Sequence, residues 1–181
     1  QFCFGDINFT SMLKFPEIRD KLIILNGWSK TYAMTGWRLG YGIFPDKLYK
    51  IAEKLAVNIH SCVNASAQHA ALEALTGPQN CVEEMNQVFK KRAELMFTKL
   101  NEIRGVHCSK PNGAFYCFPN ISGTNKSSIE VQNLLLDEIG IATVAGTSFG
   151  KYGEDYIRLS CANSDEAIEE AMFRIKKFFN N

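Results

Sequence analysis

Apolar side chains recur at three- and four-residue steps through the middle of the chain: Val82, Met85, Phe89, Ala93, Met96, Leu100 and Ile103. This stripe predicts an amphipathic helix of about seven turns, closed by Gly105. Leu48, Ile51, Leu55 and Ile59 repeat the pattern behind Pro45-Asp46 and predict an earlier helix. Ala65 to Leu75, rich in alanine, predicts another, stopped by Thr76-Gly77-Pro78. In "SSIEVQNLLLDEIG" Ser127 and Glu130 stand at capping-box spacing and Gly140 is the stop. Ser164 caps a last helix, with Asp165 and Glu166 in its first turn, Lys176 and Lys177 in its last, and Ile168, Met172, Ile175 and Phe179 as its apolar face. Short apolar runs of strand length lie between these helices: "LIIL" (Leu22 to Leu25), "LGYGI" (Leu39 to Ile43), "AFYCFP" (Ala114 to Pro119), "IATVA" (Ile141 to Ala145) and "YIRLS" (Tyr156 to Ser160).

Strands alternating with helices make this an α/β chain, and the long helix divides it. Residues 1–78 hold two strands with helices, too little to close a core alone. Residues 79–181 hold the long helix and a compact strand-and-helix set, enough for a small α/β domain. No internal repeat or low-complexity tract interrupts the pattern.

Composition narrows the function. The net charge is +1, so no global field points to nucleic acid or to an acidic membrane surface. No apolar run is long enough to span a bilayer, and no signal peptide is visible. The first residue is Gln1 rather than methionine, which predicts a processed, trimmed or partial chain. Cys3, Cys62, Cys81, Cys108, Cys117 and Cys161 form no C-x-x-C pair and lie mostly in apolar surroundings. They are expected to be small buried hydrophobes of a reducing, cytoplasmic compartment. His60, His69 and His107 do not fall at metal-ligand spacing, so no metal site is expected.

The candidate chemistry lies in "NGWSKTYAMTGWRLGY", Asn26 to Tyr41. Lys30 follows a predicted strand in the company of Trp28, Tyr32 and Met34. Apolar surroundings would disfavour its ammonium form and leave a nucleophilic amine able to condense with an aldehyde. Arg38 offers a planar, permanently charged fork suited to a phosphate. An amine beside a phosphate anchor suits pyridoxal phosphate. The bare Lys-x7-Arg spacing by itself favours a solvated surface pair, since such pairs recur by chance in most proteins.

The longer motif "SKTYAMTGWRLGY" resembles the cofactor-lysine signature of class I aminotransferases, the aspartate aminotransferase family of fold-type I pyridoxal phosphate enzymes. "EALTGPQ", "KPNGAFYCFPNI", "VAGTSFG" and "YIRLSCANSDEAIEEAMFRI" resemble later landmarks of that family, in order. The resemblance implies the C-terminal part of the fold-type I transferase fold: the end of a large three-layer α/β/α domain (1–78), then a small α/β domain (79–181). It implies pyridoxal 5'-phosphate as cofactor, Lys30 as its covalent attachment point and proton carrier, Arg38 as its phosphate anchor and Arg158 as the grip on the substrate α-carboxylate. Gly27 departs from the pattern, because many relatives carry a serine there whose hydroxyl adds a phosphate contact. Here only a backbone N–H is expected to do so. Trp28, Tyr32 and Trp37 are expected to serve packing.

The resemblance also implies what lies outside this stretch. The carboxylate that pairs with the pyridine nitrogen, the tyrosine at the ring oxygen and the glycine-rich phosphate loop would all precede Gln1. The expected activity is transfer of an amino group between an amino acid, with aspartate the leading donor, and a 2-oxo acid, in a homodimer. Asn58 to Ser66 carries no arginine to read a side-chain carboxylate. The same fold and lysine also serve β-lyases, decarboxylases, cyclopropane-carboxylate synthases and the effector domains of some transcription regulators.

Overall fold

The computed structural model describes residues 2–5 and 7–180. They fall into two compact units, Asn8–Glu84 and Gln1–Ile7 with Met85–Asn181.

In the Asn8–Glu84 unit, strands β1 (Ile24–Gly27) and β2 (Gly40–Ile43) pair antiparallel, with Ile24 opposite Ile43 and Gly27 opposite Gly40. β1 begins later than the apolar run that predicts it, because the ladder to β2 sets its limits and Pro16–Lys21 is taken up by a 3-10 helix. Helix α1 (Asp46–His60) forms as its stripe predicts, yet buries no residue. Ile51, Leu55 and Ile59 are 59%, 53% and 68% exposed, so this amphipathic face has no cover within the unit. Helix α2 (Ala65–Thr76) starts at Asn64, whose side chain accepts the Ala67 N–H at 3.0 Å. It buries Ala67 and Ala71 against Met34 and Leu39.

The other unit holds the larger core. Helix α3 (Asn80–Leu100) runs about six turns at 3.6 residues each, one fewer than its stripe suggests. Ile103 is still buried, but from the turn beyond the helix. Strands β3 (Tyr116–Cys117), β4 (Val144–Ala145) and β5 (Ile157–Ser160) form an antiparallel sheet in the order β3-β5-β4. The apolar runs around β3 and β4 predict longer strands than pair. Ala114 turns the chain at φ 60° just before β3, and Pro119, which has no N–H, follows it.

Helix α4 (Ser128–Ile139) opens on the predicted capping box: Ser127 accepts the Glu130 N–H, and Glu130 accepts the Ser127 N–H at 2.8 Å. Gly140 closes it at φ 69°, a left-handed geometry that glycine adopts without a Cβ penalty. Helix α5 (Asp165–Asn180) begins with Ser164 accepting the Ala167 N–H at 3.2 Å. Met96, Leu100, Cys117, Val131, Leu135, Ile157, Leu159, Ile168, Met172 and Ile175 make the centre of one apolar core.

The cysteines divide. Cys108, Cys117 and Cys161 are buried as expected, whereas Cys3 is intermediate and Cys62 and Cys81 are exposed in this chain. Among the described residues no helix is long and apolar enough to cross a membrane.

Candidate functional site

The β1–β2 register gathers Lys30 and Arg38 onto one loop, residues 28–39, whose neck is the Gly27–Gly40 pair. The neck is tight. A Cβ on Gly27 would stand 2.8 Å from the Leu39 carbonyl oxygen, and one on Gly40 would stand 3.1 Å from that of Asn26. The Gly27 N–H donates to Asn26 Oδ1 at 2.8 Å.

Inside the loop the apolar side chains turn toward α2. Met34 and Leu39 are buried there with Trp28 and Tyr32 packed against them. Trp28 Nε1 donates to the Ala71 carbonyl at 3.1 Å, and the Tyr32 hydroxyl reaches Gln79 Oε1 at 3.2 Å. Trp37 is the exception to the packing expectation, being half exposed.

The aromatic neighbours of Lys30, Trp28 and Tyr32, pack on the cluster that fastens the loop to α2, and Lys30 is exposed within this chain. Arg38 is also exposed and sits in the left-handed region at φ 57°, ψ 47°. Its Nη1 donates to the Thr35 carbonyl at 2.9 Å, and the Thr35 hydroxyl donates to the Ser29 carbonyl at 2.8 Å. Two hydrogen bonds therefore lead from Arg38 back to the residue beside Lys30. An exposed lysine and a guanidinium with donors to spare, both on one braced loop, fit an aldehyde that carries a phosphoester.

Arg158 belongs to the other unit. In β5 the buried residues Ile157 and Leu159 alternate with Arg158 and Ser160, so Arg158 lies on the sheet face away from the core. Its Cζ lies over the Tyr116 ring at 4.5 Å and over the Phe149 ring at 4.7 Å. Its side chain makes no hydrogen bond or ion pair with the described residues. The half-buried guanidinium thus keeps its in-plane N–H donors while ring faces hold its carbon. The contacts of Tyr116, Phe149 and Thr35 were missed by sequence reasoning, because they depend on register and loop closure and nothing at their own positions signals them.

The sequence profile for aminotransferase class I and II matches residues 1–175. The chain is 39% identical over 178 residues to an aspartate aminotransferase of Pyrococcus horikoshii, covering 97% of this chain and 45% of that protein. It is 40% identical over 187 residues to an aspartate aminotransferase of Streptomyces avermitilis, covering 98% and 45%. Among solved structures, an aromatic aminotransferase from Pyrococcus horikoshii superposes with a TM-score of 0.95 at 37% identity, covering 99% of this chain and 48% of that one. The aspartate aminotransferase of Rhizobium meliloti gives 0.94 at 31% identity, covering 99% and 47%. The chain therefore spans about half the length of the relatives it matches.

Proposed function

Because the chain belongs to the class I and II aminotransferase family, we propose that the full-length protein bearing it moves an amino group between an amino acid and a 2-oxo acid, with pyridoxal 5'-phosphate as cofactor. The observation that carries the reading is the placement of Lys30 and Arg38 on one loop with a glycine neck. The exposed Lys30 amine is the group to hold the cofactor's aldehyde end, and Arg38, braced through Thr35, the group to hold its phosphate. When bound, the cofactor supplies the electron sink for negative charge at the substrate α-carbon. Lys30 would be the base that takes the α-proton of the bound amino acid. Arg158 pairs with the substrate α-carboxylate through its unengaged fork. The protein acts as a cytoplasmic homodimer, and residues outside this chain supply the carboxylate for the pyridine nitrogen and the cover over Lys30. The aspartate aminotransferases among the relatives favour aspartate as the amino donor.

Borohydride reduction of the cofactor-loaded protein, followed by peptide mapping, tests the reading. The pyridoxyl group is expected on Lys30, and label on another lysine would reject the assignment. A panel of amino donors with 2-oxoglutarate tests the substrate, with aspartate expected to give the highest kcat/KM.

A further inference from the structure

We propose that Tyr116 and Phe149 are positioning residues that hold the Arg158 guanidinium ready for a carboxylate. The inference rests on the reading of Arg158 given above and adds what makes that arginine a receptor. An arginine on a sheet face has a long, rotatable side chain, and ordering it only when the substrate arrives would weaken binding. The usual restraint, a protein carboxylate or carbonyl, would occupy the very N–H groups a substrate needs. Rings restrain the group differently. Cζ lies over Tyr116 at 4.5 Å and Phe149 at 4.7 Å, both within cation–π range, and neither contact consumes the in-plane donors.

Sheet geometry explains why these rings meet it. Tyr116 stands opposite Ser160 in the β3–β5 ladder, so Arg158, two residues along β5, is its diagonal neighbour on the same face. Val144 of β4 stands opposite Arg158, and Phe149 ends the 3-10 turn Gly146–Phe149 that follows β4. One ring thus comes from β3 and the other from the turn that follows β4, the strands on either side of β5. They are themselves braced. Phe149 meets Phe118 edge-on at 5.9 Å, Phe118 stacks on Tyr156 at 5.1 Å, and Tyr116 packs on Phe115 at 4.4 Å.

The test uses the full-length protein loaded with pyridoxal phosphate. Phe149→Leu and Tyr116→Leu are each expected to raise the amino-acid KM about three- to thirtyfold, the span of a cation–π contact, with a much smaller change in kcat. Phe149→Tyr and Tyr116→Phe, which keep the rings, are expected to restore wild-type KM. In an Arg158→Ala background the leucine changes are expected to add nothing, since both routes act through one group. Phe149 is 54% exposed, so its replacement spares the core and the test stands on that variant even if Tyr116→Leu fails to fold. A wild-type KM in Phe149→Leu, or a further rise when it is added to Arg158→Ala, overturns the proposal while leaving the role of Arg158 intact. An unchanged KM in Arg158→Ala alone removes that role and the proposal with it.

Discussion

The Thr35 hydroxyl donates to the Ser29 carbonyl at 2.8 Å, one residue before Lys30, while the Thr35 carbonyl receives Arg38 Nη1. Thr35→Val removes the first of these bonds and keeps the shape. A typical hydrogen bond contributes about 0.5–1.5 kcal/mol, so the valine variant should bind pyridoxal phosphate roughly two- to tenfold more weakly. Thr35→Ser should bind as wild type. Equilibrium binding to the full-length protein checks this, and a valine variant with unchanged affinity would show that the latch does not position the loop.

The neck of that loop has an order of tolerance. A Cβ at Gly27 meets the Leu39 carbonyl at 2.8 Å, closer than real contacts allow, whereas one at Gly40 meets the Asn26 carbonyl at 3.1 Å. Gly27→Ala should destabilise the protein by about 1–3 kcal/mol, and Gly40→Ala by less. Denaturant unfolding of the two variants measures the order. Equal effects would mean that the β1–β2 pair opens freely.

Arg38 and Arg158 should fail in different ways. Arg38→Ala should weaken cofactor affinity about ten- to hundredfold, as expected for loss of a charge-assisted contact. Arg158→Ala should leave cofactor affinity near wild type and collapse kcat/KM for amino acids. Arg158→Lys should not restore it, because an ammonium cannot present a planar fork. If both alanine variants simply lost cofactor, the division of roles would be wrong.

Asp165 joins α5 to α3 by accepting from Lys91 Nζ at 2.8 Å and Arg92 Nε at 2.7 Å. The hydrogen bonds from Lys91 and Arg92 hold its carboxyl below the ordinary range for an aspartate. A folded-state pKa that is depressed contributes stability above the unfolded value, and that stability is lost as pH falls through the folded one. Asp165→Asn should therefore lower the thermal midpoint at pH 7, and its difference from wild type should close as the solution is taken below the ordinary aspartate range. Glu102 and Glu130 are depressed too, by hydrogen bonds from Lys176 and from Ser127, so the comparison must be the difference between the two proteins. A gap that is constant with pH would exclude the ion-pair explanation.

Thiol labelling should separate the cysteines by burial. Cys62 and Cys81 are exposed and should react first. Burial pushes the Cys161 thiol up to about 11, and the Cys117 thiol is raised by its hydrogen bond with Cys108 and by burial. At pH 8 these two should label only on unfolding, because the thiolate is the reactive form. Mass mapping of the folded protein checks the order, and early label on Cys117 or Cys161 would contradict the packing.

What the sequence determined by itself is local. The capping box of Ser127 and Glu130, the stop at Gly140 and the stripe of Ile168, Met172 and Ile175 involve residues within a turn or two of each other, and backbone geometry alone makes them neighbours. The motif around Lys30 and Arg38 was legible for the same reason, as a contiguous stretch. Tertiary structure decided what depends on pairing between distant segments. Strand limits followed from ladder register, as in β3, which pairs only at Tyr116 and Cys117. Which side chains fasten the Lys30 loop followed from where Trp28, Met34 and Leu39 found α2 to pack on. The rings over Arg158 come from β3 and from the turn after β4, and no pattern in one strand says which side chains its neighbours will place beside it. Side-chain alternation assigns a face, but register assigns the partner, and register is a property of the assembled sheet.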